Sequence, residues 1–222
     1  MGDRAPAEGS SRRAGSDRRS LTEAVGGRRW NLAVLCVSSV VLVVTTLVAR
    51  AALTSVEVTI FRAVNDLPQA VYTVVWPFMQ YGTFVTIPAL AVVALLFRRY
   101  RLALSLALAG VGVYLLALVV KQIVERGRPD ALLAGVEERE VFGAGSLGFP
   151  SGHAAVAAAL TVVVAAHLSV RWMIAALVLW TIVVFGRIYV GAHLPLDVIG
   201  GAALGAVAGS AVNLIVRPRR GA

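Results

Sequence analysis

Residues 149–168 read Phe-Pro-Ser-Gly-His-Ala-Ala-Val-Ala-Ala-Ala-Leu-Thr-Val-Val-Val-Ala-Ala-His-Leu, so that a polar loop passes within five residues into a long apolar run. Pro150 and Ser151 suit the first positions of a helix. Ser151 can cap the free N–H groups there, and Gly152 lets a ligand come close to the backbone. Such a helix start is an anion site, because its N–H groups and the positive end of the helix dipole favour a phosphate. His153, one step further on, is placed to exchange a proton with whatever that phosphate carries.

The apolar run has companions along the whole chain. Of 222 residues, 58% are hydrophobic and only 15% charged, and apolar segments of this length recur as they do in integral membrane proteins. The expected fold class is all-α, an integral membrane bundle of six transmembrane helices spanning 30–216. The expected spans cover roughly 30–49, 70–97, 102–120, 151–168, 172–185 and 195–216. Pro77, Gly82 and Pro88 predict a kink in the second. Between the first two, Val56, Ile60, Phe61 and Val64 recur at helical spacing beside Glu57, Arg62 and Asp66, the pattern of a short interfacial helix. Residues 1–29 carry seven Arg and almost no large apolar residue, which predicts a disordered cytoplasmic tail. Residues 217–222 form a second basic tail. The only cysteine, Cys36, lies inside the first span and leaves no internal disulfide to expect.

The net charge of +9 would fit nucleic acid, but the basic residues flank the apolar runs and read instead as topology signals. With both termini cytoplasmic, the inner side holds fourteen of the 21 Lys and Arg residues. The loops at 121–153 and 186–197 then share the outer face of a multi-pass protein of the cell membrane.

Those two loops bring six ionisable residues to one membrane surface: Lys121, Arg128, His153, Arg187, His193 and Asp197. Such groups are costly there unless paired or used. Three cations, two histidines and a carboxylate make a coherent site for a phosphate. Displacement at phosphorus needs a nucleophile, cations around the equatorial oxygens and an acid for the departing oxygen. Asp197, four residues after His193, can fix one imidazole nitrogen and leave the other to attack, which makes His193 the nucleophile and its product a phosphohistidine. His153 is left as general acid, and later as the base for water. Glu137, Glu138 and Glu140 lie in the same outer loop and read as solvated carboxylates rather than metal ligands.

The residues also carry a resemblance. Lys121 to Pro129 reads Lys-x6-Arg-Pro, residues 150–153 read Pro-Ser-Gly-His, and Arg187 to Asp197 reads Arg-x5-His-x3-Asp. In order and spacing this resembles the three-part signature of the type 2 phosphatidic acid phosphatase family, which also includes glucose 6-phosphatases and vanadium haloperoxidases. The resemblance implies metal-free chemistry without a cofactor. It also implies that Lys121, Arg128, Ser151, Gly152 and Arg187 hold the phosphate, with His153, His193 and Asp197 as catalytic residues. The family usually carries Ser or Thr before the third-motif Arg, and Gly186 stands there in this chain, so one possible phosphate contact is expected to be lost.

The expected function is hydrolysis of a lipid phosphate or diphosphate of the phosphatidic acid, phosphatidylglycerol phosphate or polyprenyl diphosphate type at the outer membrane face. The partners are that substrate and the membrane lipids, with no nucleic acid, and nothing in the chain fixes an oligomeric state. Haloperoxidase chemistry with bound vanadate suits a membrane site less well. A non-catalytic lipid-phosphate binder or transporter would need the cations but not a nucleophile with its orienting carboxylate. The small-residue run Gly200, Gly201, Gly205 and Gly209 in the last span reads as a packing face within the bundle.

Overall fold

The computed structural model describes residues 26–141 and 146–216. Apart from residues 26–29, both basic tails lie outside them. The described residues form helices and no strands. The helices are α1 (Arg28–Ala51), α2 (Ser55–Asn65), α3 (Ala70–Met79), α4 (Thr86–Leu96), α5 (Tyr100–Val124), the short α6 (Pro129–Leu132), α7 (Gly152–His167), α8 (Val170–Tyr189) and α9 (Pro195–Val216), with a 3₁₀ turn at Gln80–Gly82.

Helix α7 is the axis of the bundle. It packs on α9, α5, α8 and the 3₁₀ turn, and from Ala154 to Thr161 every residue is buried. Its Ala-rich sequence lets neighbouring backbones come near, and α9 makes the nearest approach. Gly201, Gly205 and Gly209 repeat every four residues along α9. A Cβ at any of them would overlap a backbone carbonyl of α7, at Ser151, Ala155 and Ala159 in turn. Contact between small residues drives helix association where lipid replaces water, because burial of apolar area no longer discriminates protein from solvent. Gly200 faces a different neighbour, the ring of fully buried Phe149. The glycine run is therefore the internal packing face its sequence predicts.

The all-helical class expected from hydropathy is what forms, and four to five of the six expected spans are recovered by length and composition. Four helices, α1, α5, α8 and α9, are long and apolar enough to cross a membrane, and α3 with α4 makes at most a fifth, bent by 67°. At 16 residues, α7 is about 24 Å long, short of a hydrocarbon core of about 30 Å. Its apolar residues face the protein interior. Enclosed by other helices, it has no lipid thickness to match.

The kink expected in the second span is a full break. Pro77 lies inside α3, and the hydroxyls of Thr83 and Thr86 both donate to Gln80 O. Gly82 sits against the backbone of His153, where a Cβ would come within 2.6 Å of the His153 carbonyl oxygen. The break thus supports the first turn of α7.

The interfacial helix exists as α2, but its polar residues do not all face outward. Glu57, Phe61 and Asn65 are buried at i, i+4 and i+8, while Val56 and Ile60 are exposed. The apolar periodicity is split between two faces, with Val56 and Ile60 outward and Phe61 inward. A buried carboxylate and amide took the inner one because each finds partners there: Asn65 donates to Glu137 O and Tyr189 O.

Because a side chain at 205 would meet backbone and not a movable side chain, Gly205→Val should fall at or above the top of the usual ~1–3 kcal/mol range for overpacking. Gly112 in α5 has nothing within 4 Å of a built Cβ, so Gly112→Ala should be neutral or stabilising by up to ~1 kcal/mol. Thermal unfolding in detergent compares the two, and equal midpoints would mean that the α7–α9 seam does not hold the bundle together.

Candidate active site

The third motif is built at the end of α8 and the start of α9. Arg187 lies in the last turn of α8, and its carbonyl accepts from both Ala192 N (3.2 Å) and His193 N (3.1 Å), folding the chain back. Gly191 makes that reversal with φ +77°, and its missing side chain leaves room for Glu137 O at the same point. Pro195 opens α9 at a position where its absent N–H costs nothing. Asp197, in the first turn, accepts from Leu194 N at 2.8 Å, while its own N–H returns to Leu194 O at 3.0 Å. This back-bonded helix start fixes the Asp197 carboxylate beside His193.

The second motif enters alongside. Ser151 is the N-cap of α7 and its hydroxyl accepts from Ala154 N, as the sequence predicts. Its own N–H goes to Asp197 O at 2.9 Å, which joins the two motifs through backbone. No atom lies within 4 Å of a Cβ built on Gly152, so the helix start is open on the side where a ligand would approach. The first motif closes the ring. Lys121 Nζ donates to the carbonyls of Leu147 and Gly148, and Arg128 Nη1 donates to Ala192 O at 2.9 Å, next to His193.

All eight sequence-selected residues thus share one end of the bundle. His193 is 2% exposed, Arg187 3% and Asp197 0%. His193 Nδ1 stands 3.7 Å from Asp197 Oδ2, a looser pairing than a formed hydrogen bond, of the sort that tightens when an active site fills. Burial, followed by the positive charges of Arg187, Arg128 and Lys121, holds the His193 imidazole well below its ordinary protonation range. The ring is neutral at neutral pH and keeps a lone pair. The same three cations, with His193, also act on His153.

Three residues that the sequence did not assign to the site take part in it. Arg126 is buried and makes a double ion pair with Glu57 (Nη1–Oε1 3.0 Å, Nη2–Oε2 2.7 Å) while its Nη1 also donates to Asp197 Oδ1 at 2.9 Å. Glu140, read as solvated, meets Arg187 Nη1 at 2.6 Å. Arg139 holds Glu140's loop in place by donating to Asn65 O, Tyr189 O, Leu67 O and Gln69 Oε1, with its guanidinium 4.3 Å from the Tyr189 ring centre. An odd cation within the first motif and a carboxylate on an amphipathic segment are weak signals taken singly. They become a pair only in three dimensions.

Gly186 also has a different role from the one expected. A Cβ there would overlap Met79 and Val75 of α3, so position 186 faces a helix contact rather than the phosphate ring. The absent hydroxyl costs no anion contact in this chain.

Fold and site together define a multi-pass membrane protein of helical phosphatase architecture, with a cationic, histidine-bearing site at one end of its bundle. The sequence profile of the PAP2 superfamily matches residues 98–220, more than half of the chain, and the chain belongs to that superfamily. Among solved structures it is similar to LpxE of Aquifex aeolicus (TM-score 0.66, 24% identity, 72% of this chain and 95% of that one). It is also similar to a transmembrane PAP2-type phosphatidylglycerolphosphate phosphatase of Bacillus subtilis (TM-score 0.60, 24% identity, 78% of this chain and 92% of that one). No curated protein matches it significantly.

Glu140 occupies part of the Arg187 guanidinium, which an incoming phosphate would also use. The pair is partly exposed on the Glu140 side, 23%, so it is worth at most about 1 kcal/mol. Glu140→Gln should therefore tighten inhibition by inorganic phosphate or orthovanadate by up to about fivefold. Unchanged or weaker inhibition would mean that the carboxylate does not compete for the anion position.

Proposed function

We propose that this protein hydrolyses a lipid phosphate or diphosphate through a phosphohistidine intermediate at the extracytoplasmic face of the cell membrane. The observation that carries the proposal is the convergence of Arg187, Arg128 and Lys121 on a buried, neutral His193 whose Nδ1 faces the Asp197 carboxylate. A binder needs the cations alone.

The geometry supports one assignment of roles. His193 Nε2, opposite the nitrogen turned to Asp197, attacks phosphorus in line with the departing lipid oxygen. The P–O bond breaks as the P–N bond forms. Arg187, Arg128, Lys121, the Ser151 hydroxyl and the Gly152 N–H hold the equatorial oxygens, whose charge is stabilised where it develops. His153, charged once the anionic substrate offsets the surrounding cations, gives its proton to the leaving alcohol or phosphate. It then takes one from water, which attacks phosphorus and releases inorganic phosphate with His193 restored. Asp197 balances the cationic phosphoimidazole.

The lipid assignment rests on position and kinship. The site lies at the ends of apolar helices, where a head group meets polar residues while its chain stays in the bilayer, and one structural neighbour is a phosphatidylglycerolphosphate phosphatase. The excess of Arg on the opposite loops and tails supports cytoplasmic termini.

Purified protein in detergent, given a panel of lipid phosphates and diphosphates in the presence of EDTA, should release phosphate from at least one. Binding of every member with no release would favour the binder. His193→Ala should abolish turnover for all substrates and leave no trapped phosphoenzyme. His153→Ala should slow the first-step burst more with a lipid alcohol leaving group than with nitrophenolate, because acid assistance is worth about 10²- to 10⁴-fold only where the leaving oxygen needs a proton. Equal loss for both leaving groups would remove His153 from the acid role.

A further inference from the structure

One group of charges, which joins Glu57 of α2 to the first and third motifs, is buried as deeply as the rest of the site. The Arg126, Glu57 and Asp197 side chains are 6%, 2% and 0% exposed. Glu57 spans both terminal nitrogens of Arg126, and Oε1 also accepts from Leu196 N at 3.1 Å. Arg126 Nη1 holds Asp197 Oδ1, which leaves Oδ2 for Leu194 N and the His193 side. Burying three charges is expensive, and a scaffold alone would be served as well by apolar residues of similar volume.

Charge counting gives the group a use. If Arg126 faced Asp197 alone, the pair would be neutral and Asp197 would have little negative charge to offer an imidazolium or a phosphoimidazole. With Glu57 added, the three groups carry one net negative charge, directed along Asp197 toward His193. We propose that Glu57 and Arg126 are positioning residues for the phosphatase reaction, Arg126 fixing the orientation of Asp197 and Glu57 preserving the negative charge that Asp197 presents to His193.

This rests on the phosphohistidine reading but can be tested apart from it. Glu57→Gln keeps the shape and one acceptor for Leu196 N while removing the charge. In the purified full-length protein it should lower kcat by roughly tenfold or more, the scale on which outer-shell partners of reactive groups act, with KM within about twofold, since uniform substrate binding is untouched. His193 is faced by Arg187, Arg128, Lys121, His153 and Asp197. Loss of the Glu57 charge leaves the cations less opposed, so His193 should protonate at still lower pH. The acid limb of the burst rate and the imidazole ¹⁵N titration of His193 in the empty protein should both move down.

The double variant Glu57→Gln/Arg126→Met restores the net charge but frees Asp197 Oδ1. Its His193 titration should return toward wild type while kcat stays low, a non-additivity that a scaffold role does not produce. The titration reads the charge claim even if wild-type protein proves inactive, in which case only the phosphatase reading fails. A folded Glu57→Gln protein with wild-type kcat and an unmoved titration would overturn the inference. If that variant is too unstable to purify, wild-type kcat in the double variant overturns it equally.

Discussion

The structure depends on how closely α7 and α9 approach. Gly201, Gly205 and Gly209 leave no side chain between α9 and the carbonyls of Ser151, Ala155 and Ala159. This fixes the two helix starts beside each other, and the hydrogen bond from Ser151 N to Asp197 O closes the gap at that end. Both helices begin at the site. Their first turns carry Gly152, His153 and Asp197, so the register of one glycine seam sets the position of the second and third motifs together. Helix α5 brings the first motif to the same end, and the break between α3 and α4 supports it from the other side through Gly82 and His153.

A second constraint follows from burying charge inside that frame. A lone Arg or Glu at this depth would be strongly unfavourable, so the chain commits Arg126 to two carboxylates at once. Glu57 accepts from Arg126 in the loop after α5 and from Leu196 N at the start of α9, and so ties three distant segments together. Burial opposes the charged form of Arg126, yet its hydrogen bond to Glu57 and the charge of Asp197 keep its proton affinity raised. Packing and electrostatics are thus not separable here, since the ion group also positions the backbone that carries the catalytic side chains.

Much of this was legible in the sequence, and the reason differs from residue to residue. His193 and Asp197 are four residues apart with Arg187 six before His193, and Ser151 to His153 lie at an abrupt boundary between loop and helix, so local spacing carries their placement. Hydropathy found every long helix but could not distinguish α7, buried by protein, from a helix buried by lipid, because Ala and Val suit both surroundings. Glu57 was illegible for the opposite reason. On α2 the apolar residues Val56 and Ile60 face outward and the carboxylate faces in, an inversion that appears only once its partner Arg126, 69 residues away, has been brought alongside. Gly186 was misread as a lost hydroxyl because spacing does not show that its Cβ direction leads into α3.

Two arginines of the first motif, separated by a single glycine, show how one residue type serves two ends. Arg126 is enclosed by full negative charges, and its own charge is spent within the protein. Arg128 is held by the carbonyl of Ala192 and Lys121 by those of Leu147 and Gly148. A carbonyl fixes a cation through a dipole without cancelling its charge. Arg187 does meet a carboxylate, but one on a loop and partly exposed, which makes a weaker and displaceable partner. The two buried carboxylates on Arg126 mark it as the member of the cationic cluster that holds the fold, tying α2 and the start of α9 to the loop after α5.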